Sequence, residues 1–534
     1  MNSLHPGETL SLWLDTEEMP QFNKLQQNLN VDVCIIGGGI GGITTAYLLM
    51  KEGKNVCLLE SFEIGSGQTG RTTAHFSNAL DDRYTEIEKL HGVAGARLAA
   101  QSHSAAIDAV ENIVRTENIH CNLERLNGYL FSSEEEDPEI LKKECEAAHR
   151  AGLGVQILSR APLQFFNTGP CLRFPRQLQL HPLKYLCALT RIAVERGAQV
   201  YTQTHVTTIE SGKIAKVITA DGFTVNCKSV VVATNTPIND LFAIHTKQAP
   251  YRSYVIGFQI PKSSVPMGLY WDTLEPYHYV RIQPGENEDL LIVGGEDHKT
   301  GQEDHPELCF TRLENWARQK FPMIIGSAYR WSGQVMEPVD GLGFLGHNPL
   351  DRSNVYVITG DSGHGMTHCT IGGLLVTDQI MGRANPWEQL YNPSRISMRA
   401  TGEFLKENAN VAAQYREWFA AKPRPELHTL HRGEGCVFRD GLRLVAAYKT
   451  TSGHVEFMSA ACTHLAGVVN WNNVEKSWDC PCHGSRFDCH GNVLEGPATL
   501  PLKTLDDVNI EISEGARVSI EDVGLGETMG LPDF

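Results

Sequence analysis

The stretch VDVCIIGGGIGGITTAYLLMKEGKNVCLLE, residues 31–60, leaves little freedom in how the chain begins to fold. The uncharged run from Val33 to Met50 is long enough to span a membrane, yet glycines at 37, 38, 39, 41 and 42 interrupt it. A strand, a tight turn and a helix fit it better. The strand leads into Gly37-x-Gly39-x-x-Gly42, a helical segment runs to about Gly53, and a second strand from Asn55 to Leu59 delivers Glu60. Gly37 permits the turn, Gly39 lets the backbone approach a pyrophosphate, and Gly42 lets helix and strand pack closely. The helix N-terminus offers amide donors and a positive dipole to phosphates. Glu60 is placed to accept from ribose hydroxyls, which argues against a 2'-phosphate. This is a dinucleotide site. GSGQTG, residues 65–70, has the same glycine spacing but follows a loop and opens no amphipathic helix, so it is not a second one. VGGEDHKTG at 293–301 lacks the spacing, and nicotinamide is not expected as a further cofactor.

The other end of the chain constrains as strongly. Cys462-x-His464 is followed, after fifteen residues, by Cys480-x-x-His483. Zinc fingers usually pair like with like, whereas here each loop brings one thiol and one imidazole. Two thiolates on one iron and two imidazoles on the other is the ligand set of a 2Fe-2S cluster with mixed ligation. Among fourteen cysteines only Cys462, Cys480, Cys482 and Cys489 are clustered; others, such as Cys34 and Cys57, sit singly in apolar strands, as reduced thiols do.

At 534 residues the chain exceeds what one core supports, so several domains are expected. A net charge of -17 argues against nucleic acid or an anionic membrane as the main partner. The first twenty residues are acidic and have no apolar core, so they do not read as a signal peptide, and a cytoplasmic protein with no membrane span is expected.

After Glu60, GSGQTG closing on Arg71 resembles the corresponding loop of the D-amino-acid oxidase-like (DAO) flavoproteins, which include glycine and sarcosine oxidases. KSVVVATN (228–235) resembles the strand by which that family returns to its dinucleotide domain, and the meander before it turns at Asp221-Gly222. DGLGFLG (340–346), the strand NVYVIT and the loop GDSGHGMTHCTIGG follow in the family's order. The resemblance, over roughly 30–395, implies FAD, with Gly363, Gly365 and Met366 at a helix N-terminus facing the flavin ring. A dipole there stabilises the charge of the reduced ring. CTHL, CPCHGSRFD and GNVLEGPATLPL resemble Rieske domains of the high-potential, cytochrome-complex type, over roughly 426–520. This implies Cys462 and Cys480 as thiolate ligands, and His464 and His483 as imidazole ligands. Such domains commonly clamp the loops with a disulfide. Here Cys482 matches one partner and Gly467 replaces the other, so no clamp is expected. Ser485 matches the family's hydroxyl donor to a bridging sulfur, but Phe487 stands where a tyrosine donor is usual. Fewer donors lower the expected potential below the upper end of the roughly -150 to +300 mV Rieske range.

The expected fold is α/β: a Rossmann-like FAD-binding domain with an interleaved α+β substrate domain, plus a small C-terminal all-β Rieske domain. Residues 1–30 form an N-terminal extension; 31–80, 181–240 and 335–395 the FAD-binding domain; 81–180 and 241–334 the substrate domain; 396–425 a helix and linker; 426–534 the Rieske domain. In the linker helix Phe404, Val411, Tyr415, Trp418 and Phe419 are the expected packed side. The short, Pro-stiffened KPRPEL suggests a docked rather than swinging domain.

Family members bind amino-acid carboxylates with Arg and Tyr from substrate-domain strands. Arg252, Tyr254 and Arg281 are the expected counterparts, with Tyr277, His278 and Tyr279 nearby, and His364 as the candidate acid or base. His75, close to the flavin loops, leaves covalent attachment of FAD open. Together these imply an FAD-dependent dehydrogenase acting on an amine or amino acid at CH-NH or CH-NH2, passing single electrons through the cluster to an external one-electron acceptor or redox protein. Reversed flow, or a redox carrier or sensor without its own substrate, is the alternative. Aromatic-ring dioxygenation would need two His and a carboxylate on a further iron, and no such spaced group stands out.

Overall fold

The computed structural model describes residues 7–132, 139–239, 243–349, 351–352, 354–420 and 423–505. Residues 1–6 of the expected extension and 506–534 of the expected C-terminal domain lie outside the described residues.

The apolar run before the glycine turn becomes the strand Leu29–Ile36, which pairs in parallel with Val56–Leu59 on one side and Thr224–Val232 on the other. Val33 and Ile35 enter one core cluster and Cys34 and Ile36 another, so the strand is buried on both faces. That is why it reads as continuous hydrophobe rather than alternation. Among the described residues these strands belong to an eight-stranded sheet. Val355–Thr359 extends its parallel core beyond Thr224–Val232, Gln199–Tyr201 lies beside Val56–Leu59, and the hairpin Val206–Glu210 and Ala215–Thr219 makes the expected meander. The helices Ile40–Lys51 and Gly365–Ile380 cover one face together.

A second, nine-stranded mixed sheet carries the long antiparallel strands Gln248–Pro261, Glu288–Lys299 and Gly326–Pro338. His75–Phe76 and the end of Gly326–Pro338 fall inside the segments expected for the FAD-binding domain, yet they pair in this sheet. The helix Arg83–Thr116 is kinked at Gly92, whose φ of 75° is open only to glycine at little cost.

Residues 434–495 form two small antiparallel sheets of three and four strands. They are fastened to the rest by the helix Thr401–Gln414 and the turn Tyr415–Trp418. Tyr415 donates to Leu465 O (2.7 Å) and Trp418 Nε1 to Ala466 O (2.8 Å), while Glu407 pairs with Lys299 at 2.5 Å. Of the expected packed side, Val411, Tyr415 and Trp418 do lie against the C-terminal core, but Phe419 is 90% exposed and needs correction, and the buried residue of the helix is Glu407. The 3-10 turn at 415–418 changes the rotation per residue and carries Phe419 round to solvent. Part of the described N-terminal extension packs into the core through Leu12, Trp13 and Leu25. Trp13 is fully buried, and its Nε1 donates to Thr72 O at 2.6 Å. No helix among the described residues is long and apolar enough to cross a membrane.

Candidate functional site

The first glycine turn opens onto a cavity of about 260 Å3. Gly37 has φ 105°, and a Cβ there would lie 2.3 Å from Ala233 O; one on Gly42 would lie 1.9 Å from Gly37 O. Any side chain at either position would push turn, helix and strand apart. Gly39 caps the helix Ile40–Lys51 and lines the cavity, as do Glu60 and Arg71. Glu60 takes one backbone N–H on each oxygen, from Gly38 (2.6 Å) and Phe62 (2.9 Å), and burial raises its pKa. Around the same wall Ser66 Oγ, Arg71 Nε, His75 Nε2 and Thr236 Oγ1 are buried without hydrogen-bond partners. Buried polar atoms are almost always paired, so a cavity wall with this many open positions suits a polar ligand. A long cradle with an anion-binding helix end and orphaned donors fits FAD.

The helix Gly365–Ile380, packed beside Ile40–Lys51, also presents its N-terminus to the cavity, through Gly363, His364, Gly365 and Met366. Gly363 has φ 69°, and a Cβ there would strike Asp81 Oδ2 at 2.0 Å. Asp81 therefore reaches His364: its backbone N donates to His364 Nε2 at 3.0 Å, and its carboxylate lies 3.3 Å from the same nitrogen. Burial disfavours the His364 imidazolium, but Asp81, Asp82 and Asp361 outweigh burial and raise its pKa. Burial likewise pushes Asp82 and Asp361 up to about 6. His75, by contrast, is pushed down to about 3 by burial and then by Arg281, so it is a neutral ring. Trp271, Tyr277 and Tyr279 complete this end, with Tyr279 bonded to Ser253 Oγ at 2.7 Å. Tyr277 meets Asp297 at 3.3 Å, and burial raises that carboxyl to about 7.

Three expected substrate residues lie elsewhere. On the strand Gln248–Pro261 it is Ser253 and Val255 that face the cavity, so Arg252 and Tyr254 point to the other side. Arg252 bonds Ser332 Oγ (3.0 Å) and lies 3.6 Å from Glu475; Tyr254 bonds His298 at 2.9 Å. Arg281 shares Tyr279's face of its strand, but its guanidinium is taken by the carbonyls of Thr73, Ala74 and Leu180 and by Gln283. His278 is held by Asp272 (2.9 Å) and stacked on Trp316. Of the residues missed in the sequence, Asp81 and Ser253 stand in no motif, while Asp361 lies in the loop GDSGHGMTHCTIGG, three residues before His364. For Asp81 only Gly363, needed to admit it, left a local mark.

In the C-terminal sheets two loops share one hydrogen-bond pattern. Cys462 N donates to Gly467 O and Ala466 N to Cys462 O; Cys480 N donates to Ser485 O and Gly484 N to Cys480 O. The fifth residue of each, Ala466 (φ 57°) and Gly484 (φ 81°), is left-handed. The loops bring the thiols of Cys462 and Cys480 into mutual contact and the His464 and His483 rings to 5.1 Å, with Ser485 Oγ against Cys462. His464 Nε2 is buried and without a hydrogen-bond partner. Paired thiols and paired imidazoles on twin loops fit a two-iron cluster. A Cβ at Gly467 would lie 2.6 Å from Cys482 Sγ, and Cys482 is a free thiol. Phe487 is fully buried in the same small core.

The two sites adjoin. The His245 ring packs edge-on against His464 (4.9 Å) and close to His483 (5.6 Å). Gln334, in the cavity wall, donates to the carbonyl of Gly484 at 3.0 Å. Arg71 lines the cavity with its Nε unpartnered, while its terminal nitrogens bond Thr9 and Ser332 O and lie 3.3 Å from Glu475 of the C-terminal sheets. Both side chains of that ion pair are fully buried. Burial works against the Glu475 carboxylate, but Arg71, Arg252 and Arg486 hold its pKa far below the usual carboxylate range.

The sequence model of the DAO family, described as FAD dependent oxidoreductase, matches residues 32–379, and that of the Rieske [2Fe-2S] domain matches 419–506. The chain is 32% identical to the putative Rieske 2Fe-2S iron-sulfur protein YhfW of Bacillus subtilis, over 92% of this chain and 97% of that protein. It is 26% identical to gamma-glutamylputrescine oxidoreductase of Escherichia coli, over 70% of this chain and 88% of that one. Among solved structures, glycine oxidase from Geobacillus kaustophilus superposes with a TM-score of 0.58 at 21% identity, covering 69% of this chain and all of that one.

Proposed function

Because the chain belongs to the DAO family of FAD-dependent oxidoreductases and carries a Rieske [2Fe-2S] domain, we propose that it is an amine dehydrogenase that sends single electrons out through the cluster. One observation carries the proposal: the loop bearing His483 is seated by Gln334, a residue of the FAD cavity wall. An oxidase that hands electrons to oxygen has no use for such a contact.

Gly37, Gly39 and Gly42 shape the dinucleotide turn, Glu60 receives ribose hydroxyls, and Gly363, Gly365 and Met366 bring the second helix N-terminus to the ring. Cys462 and Cys480 are the thiolate ligands, and His464 and His483 the imidazole ligands, of the cluster. When bound, FAD supplies a two-electron acceptor and the cluster a one-electron one.

The substrate end favours an amine. Asp81 and Asp361 attract an ammonium, and Trp271, Tyr277 and Tyr279 offer ring faces to it. Among the described residues that line the cavity Arg71 is the only arginine, and its terminal nitrogens are already bonded, so a substrate carboxylate finds no free fork there. The name of the Escherichia coli relative agrees with an amine. Before a hydride can leave the carbon beside nitrogen, the ammonium must lose a proton. His364, oriented by Asp81, is placed to take it. Arg252, Tyr254 and Arg281 have no part in this scheme.

Anaerobic mixing with a panel of amines and amino acids, followed by flavin absorbance and by the paramagnetic signal of the reduced cluster, tests the proposal. An amine that bleaches the flavin and raises the cluster signal is the expected result, with Cys480→Ser keeping the first and losing the second. Steady reduction of a one-electron acceptor by Cys480→Ser would refute the route.

A further inference from the structure

The FAD cavity is not closed by the two large sheets alone. Val493, Leu494, Glu495, Gly496 and Ala498, from the strand Val493–Glu495 of the Rieske domain and the turn after it, form part of its wall. The contact is close: a Cβ on Gly496 would lie 3.1 Å from Ile238 Cγ2. Two residues of the FAD domain fasten the segment. His205 Nε2 meets Thr499 O at 2.8 Å, and since a carbonyl only accepts, that nitrogen carries the proton while Nδ1 receives Ser61 Oγ at 3.1 Å. Gln68 Nε2 donates to Glu495 Oε1 at 2.5 Å.

Glu495 is half served. Its Oε1 also takes Arg486 at 3.1 Å, but its Oε2 is buried and has no hydrogen-bond partner. A carboxylate oxygen shut off from water without a donor destabilises the folded chain. No protein donor bonds it, and Glu495 lines the cavity. We propose that Glu495 is a ligand of FAD, accepting from a hydroxyl of its sugar portion, and that residues 493–498 seal the cavity so that FAD leaves only when the Rieske domain undocks. By linkage, FAD and docking then strengthen each other by the same factor.

Two readouts independent of turnover test this. The first is the rate at which free-flavin fluorescence appears after dilution of the loaded protein. Glu495→Ala and Leu494→Ala are expected to release FAD roughly tenfold faster or more, a coupling of the usual size for linked sites, with the cluster absorbance unchanged. Glu495→Gln, which keeps an acceptor, falls between Glu495→Ala and the wild type. The second is hydrogen exchange of the amides of 493–498 in the wild type, expected to be slower with FAD bound than after its removal. Release rates within about twofold of wild type in both alanine variants, or exchange unaffected by FAD, would overturn the proposal.

Discussion

Gln334 Nε2 donates to Gly484 O at 3.0 Å, so one side chain spans from the wall of the FAD cavity to the residue after His483. Its Oε1 is fixed in turn by Thr300 Oγ1 at 3.1 Å and its backbone N by Gln68 Oε1 at 2.7 Å. Gln334→Leu removes the bridge and keeps the bulk. Severalfold slower reduction of the cluster after flavin bleaching is expected in stopped-flow, with the bleaching itself unchanged. Equal cluster rates would place the electron route elsewhere, for instance past His245.

Phe487 fills a core position where a hydroxyl would add a donor near the cluster. Phe487→Tyr is expected to raise the midpoint by tens of millivolts, and the wild type should titrate below the upper end of the roughly -150 to +300 mV Rieske range. A spectroscopic redox titration of both proteins decides it.

Glu475 joins the two halves from complete burial, facing Arg71 and Arg252. Removing one partner of such a set typically costs about 3–5 kcal/mol, because the other charge stays buried. Glu475→Gln should therefore lower denaturant stability by that order. The sign with pH follows from a depressed carboxyl: its contribution is whole above the ordinary value of 4.5 and fades as acid carries the pH toward the much lower folded value. Wild type and Glu475→Gln should differ by a constant amount from pH 7 down to about 4.5 and converge below it.

Asp297 has the opposite sign. Its folded pKa is raised to about 7, so between the ordinary 3.8 and that value the folded state holds a proton the unfolded chain has lost. Stability then falls as pH rises through this window, by up to ~1.4 kcal/mol per pH unit for one proton. Asp297→Asn should flatten the slope of the unfolding midpoint between pH 5 and 7, read by thermal melts; an unaltered slope would contradict it.

What the sequence makes legible is local. The strand, turn, helix, strand and acid from Val31 to Glu60 are consecutive, and each Cys/His pair sits within four residues. The substrate end is not, because Asp81 and His364 meet across 283 positions and no motif joins them. Arg252 shows the limit best. Its residue type suits a carboxylate, but which face of a strand looks into a cavity is set by the sheet around it, and a shift of one residue exchanges Arg252 for Ser253. Arg71 differs: its place in the loop and on the cavity wall is as expected, but the carboxylate beside its terminal nitrogens comes from Glu475, far along the chain.

The His464 and His483 rings lie against His245, and the twin loops are held by Tyr415, Trp418 and Gln334. A redox head on a free tether must wait for its own diffusion, on the microsecond to millisecond scale of domain motion. This one keeps its station, so internal transfer should be indifferent to solvent viscosity, and only the arrival of the outside acceptor should feel it.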